Sequence, residues 1–269
     1  MKKFISTSAI VLFSLLAAAG AQRKIAVASY PWNGSTVSQM ISDLKKIGVS
    51  EVFMFGNLKM GEGEFPASVF NYNMAPEQMK AAKKVFDENK IRIVGFGHLH
   101  CKTEAEIKTA FEFAKFFGMD FLSVESPKDT LPFYVKYSEK FGIKTGLYTH
   151  PIESKGAPYN TPERLCSALS ENAGVCAFPD SGHIWCSGFD VAEILKKLDG
   201  KICAMSLNER AADKNCAPFG KGVIPLDAIL SELDRQGFNG WIVVMQATKG
   251  APLDIVAPSV EFLRARPAK

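Results

Sequence analysis

The sequence is poor in histidine, with four residues in 269, and in tryptophan, with three. It has no dense run of Lys and Arg. Its formal net charge of +4 falls to +2 once Lys2 and Lys3 are set aside (4 − 2 = 2). A balance that weak leaves no electrostatic footprint for a nucleic acid. No pair of cysteines has the CxxC spacing of a structural zinc site. There is no Gly-x-Ser-x-Gly elbow and no P-loop, and "GFGHLHC" has glycines without the GxGxxG spacing of a dinucleotide fingerprint. Beyond residue 21 no apolar stretch is long enough to cross a bilayer.

The first residues read "MKKFISTSAIVLFSLLAAAGAQRK". Two lysines precede an apolar run from Ala9 to Ala19, and Ala19-Gly20-Ala21 supplies small residues for a peptidase. This is the layout of a secretory signal peptide over residues 1–21, with an uncleaved anchor as the alternative. No cysteine follows the run, so a lipid anchor is not expected. The expected location is secreted or periplasmic, with no membrane span after cleavage. Residues 22–269 then form one domain, without an internal linker or low-complexity stretch. Cys101, Cys166, Cys176, Cys186, Cys203 and Cys216 are an even set in an oxidising compartment, which permits disulfides, but six cysteines allow fifteen pairings. Several lie in apolar runs, where a buried thiol is equally in keeping.

Short apolar runs alternate with amphipathic stretches along the whole domain. The runs are "KIAVASY", "SEVFMFG", "IRIVGFG", "DFLSVES", "IKTGLYT", "GVCAFPD", "KICAMSL" and "WIVVMQA". Continuous rather than alternating apolar character suits strands buried on both faces of a parallel sheet. Between them, "TVSQMISDLKKIG" gathers Val37, Met40, Ile41 and Leu44 on one helical face and stops at Gly48. "TEAEIKTAFEFAKFFG" opens with a Thr103-to-Glu106 capping box and closes on Gly118. Eight such units predict a single (β/α)8 TIM barrel, with a doubly wound open sheet as the runner-up. The long loop after the second strand carries Phe65, Phe70 and Tyr72. It is either a cover over the barrel mouth or a surface insertion, the cover being favoured.

Barrels of this kind carry their chemistry at the C-terminal ends of the strands. Those ends hold Tyr30 and Trp32, Asn57, His98 and His100, Glu125, Tyr148 and His150, Asp180 and His183, Ser206 and Glu209, then Met245 and Gln246. All four histidines fall in this set. One such histidine is most simply a hydrogen-bonded structural residue; four together predict a polar pocket that could hold a divalent metal or the hydroxyls of a sugar.

From about Tyr137 to Phe262 the chain resembles the sugar phosphate isomerase/epimerase family with the xylose isomerase-like TIM barrel. The resemblance is carried by "EKFGIKTGLYTHP", "AGVCAFPDSGHIWCSGFDVAEILKKLDGKICAMSLNE", "FGKGVIPLDAILSELDRQGFNGWIVV" and "VEFLRA". The first half matches only in its strand–helix order and in Glu125. The resemblance implies proton transfer on a ketose or aldose, aided by a divalent cation (Mn, Mg, Co or Zn). It implies a carboxylate ligand from strand five, an Asp from strand six, a His from strand seven and a Glu from strand eight. Carried over residue by residue, Asp180 matches the Asp and His183 a nearby substrate-contacting His. The other three positions hold Tyr148, Ser206 and Met245. A hydroxyl and a thioether are poor ligands for a hard divalent ion.

The expected site therefore has Glu125, His150 and His183 as catalytic groups and Asp180 as the remaining metal ligand. Tyr30, Trp32, His98, His100, Tyr148, Trp185 and Glu209 are the expected substrate-binding residues. Three functions fit: an isomerase or epimerase with an altered site; a non-catalytic relative (a pseudoenzyme) that binds carbohydrate or a partner; and, more weakly, a metal-free hydrolase or lyase using His150 or His183 as base and Glu125 as acid. A small-molecule carbohydrate is the expected partner, and a homo-oligomer is conceivable by analogy with relatives.

Overall fold

The computed structural model describes residues 22–246 and 251–269; the expected leader, residues 1–21, lies outside them. The first half runs β1 (Lys24–Ala28), α1 (Val37–Lys46), β2 (Glu51–Met54), α2 (Pro76–Glu88), β3 (Arg92–Leu99), α3 (Glu104–Phe117), β4 (Phe121–Val124) and α4 (Leu131–Phe141). The second runs β5 (Lys144–Tyr148), α5 (Pro162–Glu171), β6 (Val175–Phe178), α6 (Ser181–Cys186), α7 (Val191–Lys197), β7 (Ala204–Leu207), α8 (Leu226–Arg235), β8 (Trp241–Val244) and α9 (Leu253–Arg264). Seven of the eight strands lie within their apolar runs, and β3 continues two residues past "IRIVGFG", to Leu99.

The helices start where the side chains can cap them. Thr36 accepts from the Gln39 amide ahead of α1. Ahead of α3, Thr103 Oγ1 accepts from the Glu106 amide at 3.3 Å while Glu106 Oε2 accepts from the Thr103 amide at 3.0 Å, the reciprocal box the sequence predicts. Gly118 ends α3 at φ 70°, a left-handed conformation that costs a glycine least.

The strands form one parallel sheet in the order β6-β5-β4-β3-β2-β1-β8-β7. Among the described residues only the β6–β7 edge lacks a continuous ladder; isolated bridges Ala177↔Ile202 and Asp180↔Ser206 join it. A disulfide, Cys176–Cys203, crosses the same seam. The result is a nearly closed (β/α)8 barrel.

Two cores result from the alternation of side chains across the strands. Inside the barrel, Phe53, Phe121 and Phe178 meet one another at 5.2–5.5 Å between ring centroids, filling it beneath the mouth. The outer layer packs helices on strands. Phe70 enters that layer, against Phe86, Phe96, Phe113 and Phe117, and Tyr72 packs on Phe96. Two of the loop's aromatics, Phe70 and Tyr72, thus anchor it to α2, β3 and α3 and are spent there rather than on a cover over the mouth.

Candidate functional site

Glu125 follows β4 directly, and its carboxylate is buried at the mouth. His150, two residues beyond β5, places Nε2 2.6 Å from Glu125 Oε1. This is an ion-pair contact rather than a well-aligned hydrogen bond, and Oε1 is left a buried acceptor without a directed donor. His100, after β3 and largely exposed, approaches the other oxygen, with Nε2 3.5 Å from Oε2. Burial disfavours a charged His150, but the contact with Glu125, the charge of Glu125 and that of Asp180 outweigh it, so its pKa is raised.

His183 stacks on His150 with 5.0 Å between centroids and 21° between planes. Its Nδ1 lies 2.8 Å from the carbonyl oxygen of Thr149. A carbonyl only accepts, so Nδ1 carries the proton and, in the neutral ring, Nε2 keeps its lone pair. The backbone holds the ring in place as well. His183 sits in the first turn of α6, and its amide donates to Asp180 Oδ1 at 2.8 Å, with Asp180 as the N-cap.

Asp180 is fully buried. Its Oδ2 accepts from Tyr148 Oη at 2.8 Å and from Ser206 Oγ at 2.6 Å, and its amide donates to Thr149 Oγ1 at 2.9 Å. Burial first, then the charge and hydrogen bond of Asp180, push the Tyr148 phenol far up, so it stays a protonated donor. Tyr148 stacks on His98, 3.7 Å between centroids, and His98 Nδ1 meets Ser123 Oγ. Gly97 makes that approach possible, because a Cβ there would lie 2.6 Å from the Ser123 carbonyl oxygen. Desolvation, then the like charges of His150, His183 and His100, push the pKa of His98 well below its ordinary value.

Glu125, His150, Asp180 and His183 thus form one continuous cluster, with His98, His100 and Tyr148 against it. Tyr30 lies exposed on the rim, 5.4 Å from Phe55, whose ring meets His98 edge-on at 5.0 Å. The remaining expected residues sit elsewhere. Trp32 is buried and its indole donates to Asp43 Oδ2 of α1 at 2.9 Å. Trp185 packs half-buried against the outer core. Glu209 accepts from the amides of Arg210, Gly220 and Ile224, organising the loop that leads to α8. Sequence reasoning passed over Phe55, Ser123 and Thr149, although each stands in a strand-end run within two residues of Asn57, Glu125 or His150. A separate cavity of about 530 Å³ opens at the other end of the barrel, by Lys24, Glu51 and Trp241, away from all four histidines.

A scan against family models matches the xylose isomerase-like TIM barrel over residues 41–266. The chain belongs to that family. None of the curated proteins compared with this chain matches it. Among solved structures, an uncharacterized protein from Parabacteroides distasonis ATCC 8503 superposes with a TM-score of 0.73 at 23% identity, covering 91% of this chain and 99% of its own. A sugar phosphate isomerase/epimerase from the same organism gives 0.68 at 18%, covering 97% and 100%. The 3-keto-D-glucoside 4-epimerase of E. coli gives 0.70 at 13%, covering 91% and 100%. At these identities the likeness is one of fold.

The metal that such a family implies does not fit the residues present. The positions that would supply ligands beside Asp180 hold Tyr148, Ser206 and Met245, and Asp180 Oδ2 is engaged by two hydroxyls. Among the described residues no group of three or more His, Cys, Asp or Glu side chains is arranged to hold an ion. Nor, among them, is any helix long and apolar enough to cross a membrane.

Proposed function

We propose that this protein acts on a sugar or sugar derivative by proton transfer at the barrel mouth, with Glu125, His150 and His183 as the working groups. The observation that carries the reading is the stacked pair of imidazoles in opposite roles. His150, backed by Glu125, holds a proton readily; His183, fixed by the Thr149 carbonyl, offers a lone pair at Nε2. On a substrate with a C–H next to a carbonyl, His183 Nε2 takes the carbon-bound proton. The C–H electron pair becomes the C=C bond of an enediol, and His150 gives its proton to the carbonyl oxygen. Return of the protons on another face or carbon gives epimer or isomer. No metal takes part in this scheme. The sugar-acting names among the fold neighbours support the substrate class, and Tyr30 with Phe55 offers aromatic faces for a sugar ring. Export as a secreted or periplasmic protein is part of the proposal, supported by the leader-like residues 1–21 and the disulfide.

The test is incubation of the purified protein with a panel of ketoses, aldoses and keto-glycosides in D2O, read by NMR for deuterium at carbon. Glu125→Gln and Asp180→Ala should each abolish exchange; activity persisting in both overturns the reading. The second reading, a carbohydrate-binding relative without turnover, is favoured by Tyr148, Ser206 and Met245 standing where ligands and a base would be. Calorimetry on the same panel, with and without Mn2+, separates them: binding that needs no metal and gives no exchange supports the second.

A further inference from the structure

The carboxylate that family resemblance would hand to a metal is already spoken for by the fold. Asp180 Oδ1 accepts from the His183 amide, while Oδ2 accepts from both Tyr148 Oη and Ser206 Oγ. These three donors come from α6, from the end of β5 and from β7. Asp180 also pairs with Ser206 through the backbone at the one edge of the barrel that has no continuous ladder, with the Ser206 amide donating to the Pro179 carbonyl at 2.9 Å. The Cys176–Cys203 disulfide fastens the same edge nearer the strand starts. Two of the residues that replace expected ligands, Tyr148 and Ser206, are therefore the very hydroxyls that satisfy this buried carboxylate. A carboxylate buried without a cation is tolerable when hydrogen bonds fill its lone pairs.

We infer that Asp180 is a positioning residue, a hydrogen-bonded keystone that closes the β6–β7 seam and sets His183, and that Tyr148 and Ser206 stand in for a divalent metal at this position. The inference goes beyond the proposed activity and is read without any substrate, so a failure to find turnover leaves it untouched.

The experiment uses the purified chain without chelator treatment. Elemental analysis should find divalent metal far below one ion per chain, and neither EDTA nor Mn2+ should move Tm. A double-mutant cycle reads the keystone: Tyr148→Phe should lower Tm in the wild-type background and have little further effect in Asp180→Ala. Asp180→Asn, which keeps an oxygen for the two hydroxyls, should recover part of the Asp180→Ala loss. Should Asp180→Ala not fold, the cycle of Tyr148→Phe with Ser206→Ala reads the same coupling, because both hydroxyls share Oδ2. Stoichiometric metal in the purified protein, a Mn2+-induced rise in Tm that disappears in Asp180→Asn, or strictly additive effects of the hydroxyl deletions would each overturn the inference.

Discussion

The imidazoles of His150 and His183 lie face to face at 5.0 Å, one backed by a carboxylate and the other by a carbonyl. The two rings come from neighbouring strand ends: Glu125 helps to raise the pKa of His150, and the Thr149 carbonyl fixes the tautomer of His183.

Replacing Glu125 by Gln should lower the pKa of His150, as read by NMR titration of the imidazole C–H signals. The stability consequence has a definite sign. A histidine whose folded pKa is raised stabilises the protein fully below its unfolded value, about 6.5, and loses that contribution as pH rises through the folded pKa. His98 acts in the opposite sense: its folded pKa is depressed, so acid below about pH 6.5 protonates the unfolded chain preferentially and destabilises the fold. The Tm gap between wild type and Glu125→Gln should therefore be widest near pH 6 and shrink towards pH 9, and the variant should be the more acid-sensitive of the two. A gap that widens with rising pH would contradict the pairing.

Two aromatic residues expected at the mouth should separate cleanly on mutation. Tyr30 is exposed beside Phe55, so Tyr30→Ala should weaken carbohydrate binding by calorimetry with little change in Tm. Trp32 is buried and bonded to Asp43, so Trp32→Ala should cost about 3–5 kcal/mol in denaturant unfolding whether or not sugar is present. Equal behaviour of the two variants would mean that one of them is misplaced.

The barrel could be read from the sequence because eight continuous apolar runs and their caps are local signals, and each run holds a strand in the structure. The convergence of His98, His100, His150 and His183 was legible too, since strand ends of a barrel meet at one rim. What was not legible depended on partners distant in sequence. Nothing near Trp32 announces that Asp43 will draw its indole into the outer layer. Glu209 looks like a mouth carboxylate until the amides of Gly220 and Ile224 fold back onto it. Phe70 reads as a lid residue until α2 and α3 supply its neighbours. Ser206 reads as a lost ligand, and only the geometry makes it a partner of Asp180.

The disulfide joins two cysteines 27 positions apart in the sequence, across the seam. Chain-entropy arguments place its contribution at about 3–4 kcal/mol. For a domain of this size that corresponds to a fall in Tm of roughly 10 °C in Cys176→Ser. Differential scanning calorimetry should give the same loss for the wild type reduced with dithiothreitol, and no further loss when the reduced variant is compared with it. A variant as stable as the oxidised wild type would mean that the bridge does not hold the seam.

His183 gives the sharpest chemical test, because its tautomer follows from one contact. With Nδ1–H committed to the Thr149 carbonyl, the neutral ring must carry its lone pair on Nε2. Nitrogen-15 NMR of labelled protein above the histidine titration range should show Nδ1 protonated and Nε2 bare. His183→Asn keeps the backbone amide that Asp180 caps, so α6 and the seam should persist and Tm should change little. The same variant removes the only nitrogen at this position able to take a proton from carbon. Deuterium exchange into a substrate should then stop while binding of that substrate remains, which would place His183 in the chemistry rather than in the scaffold. The reverse tautomer, or exchange undiminished in His183→Asn, would move the base elsewhere in the cluster.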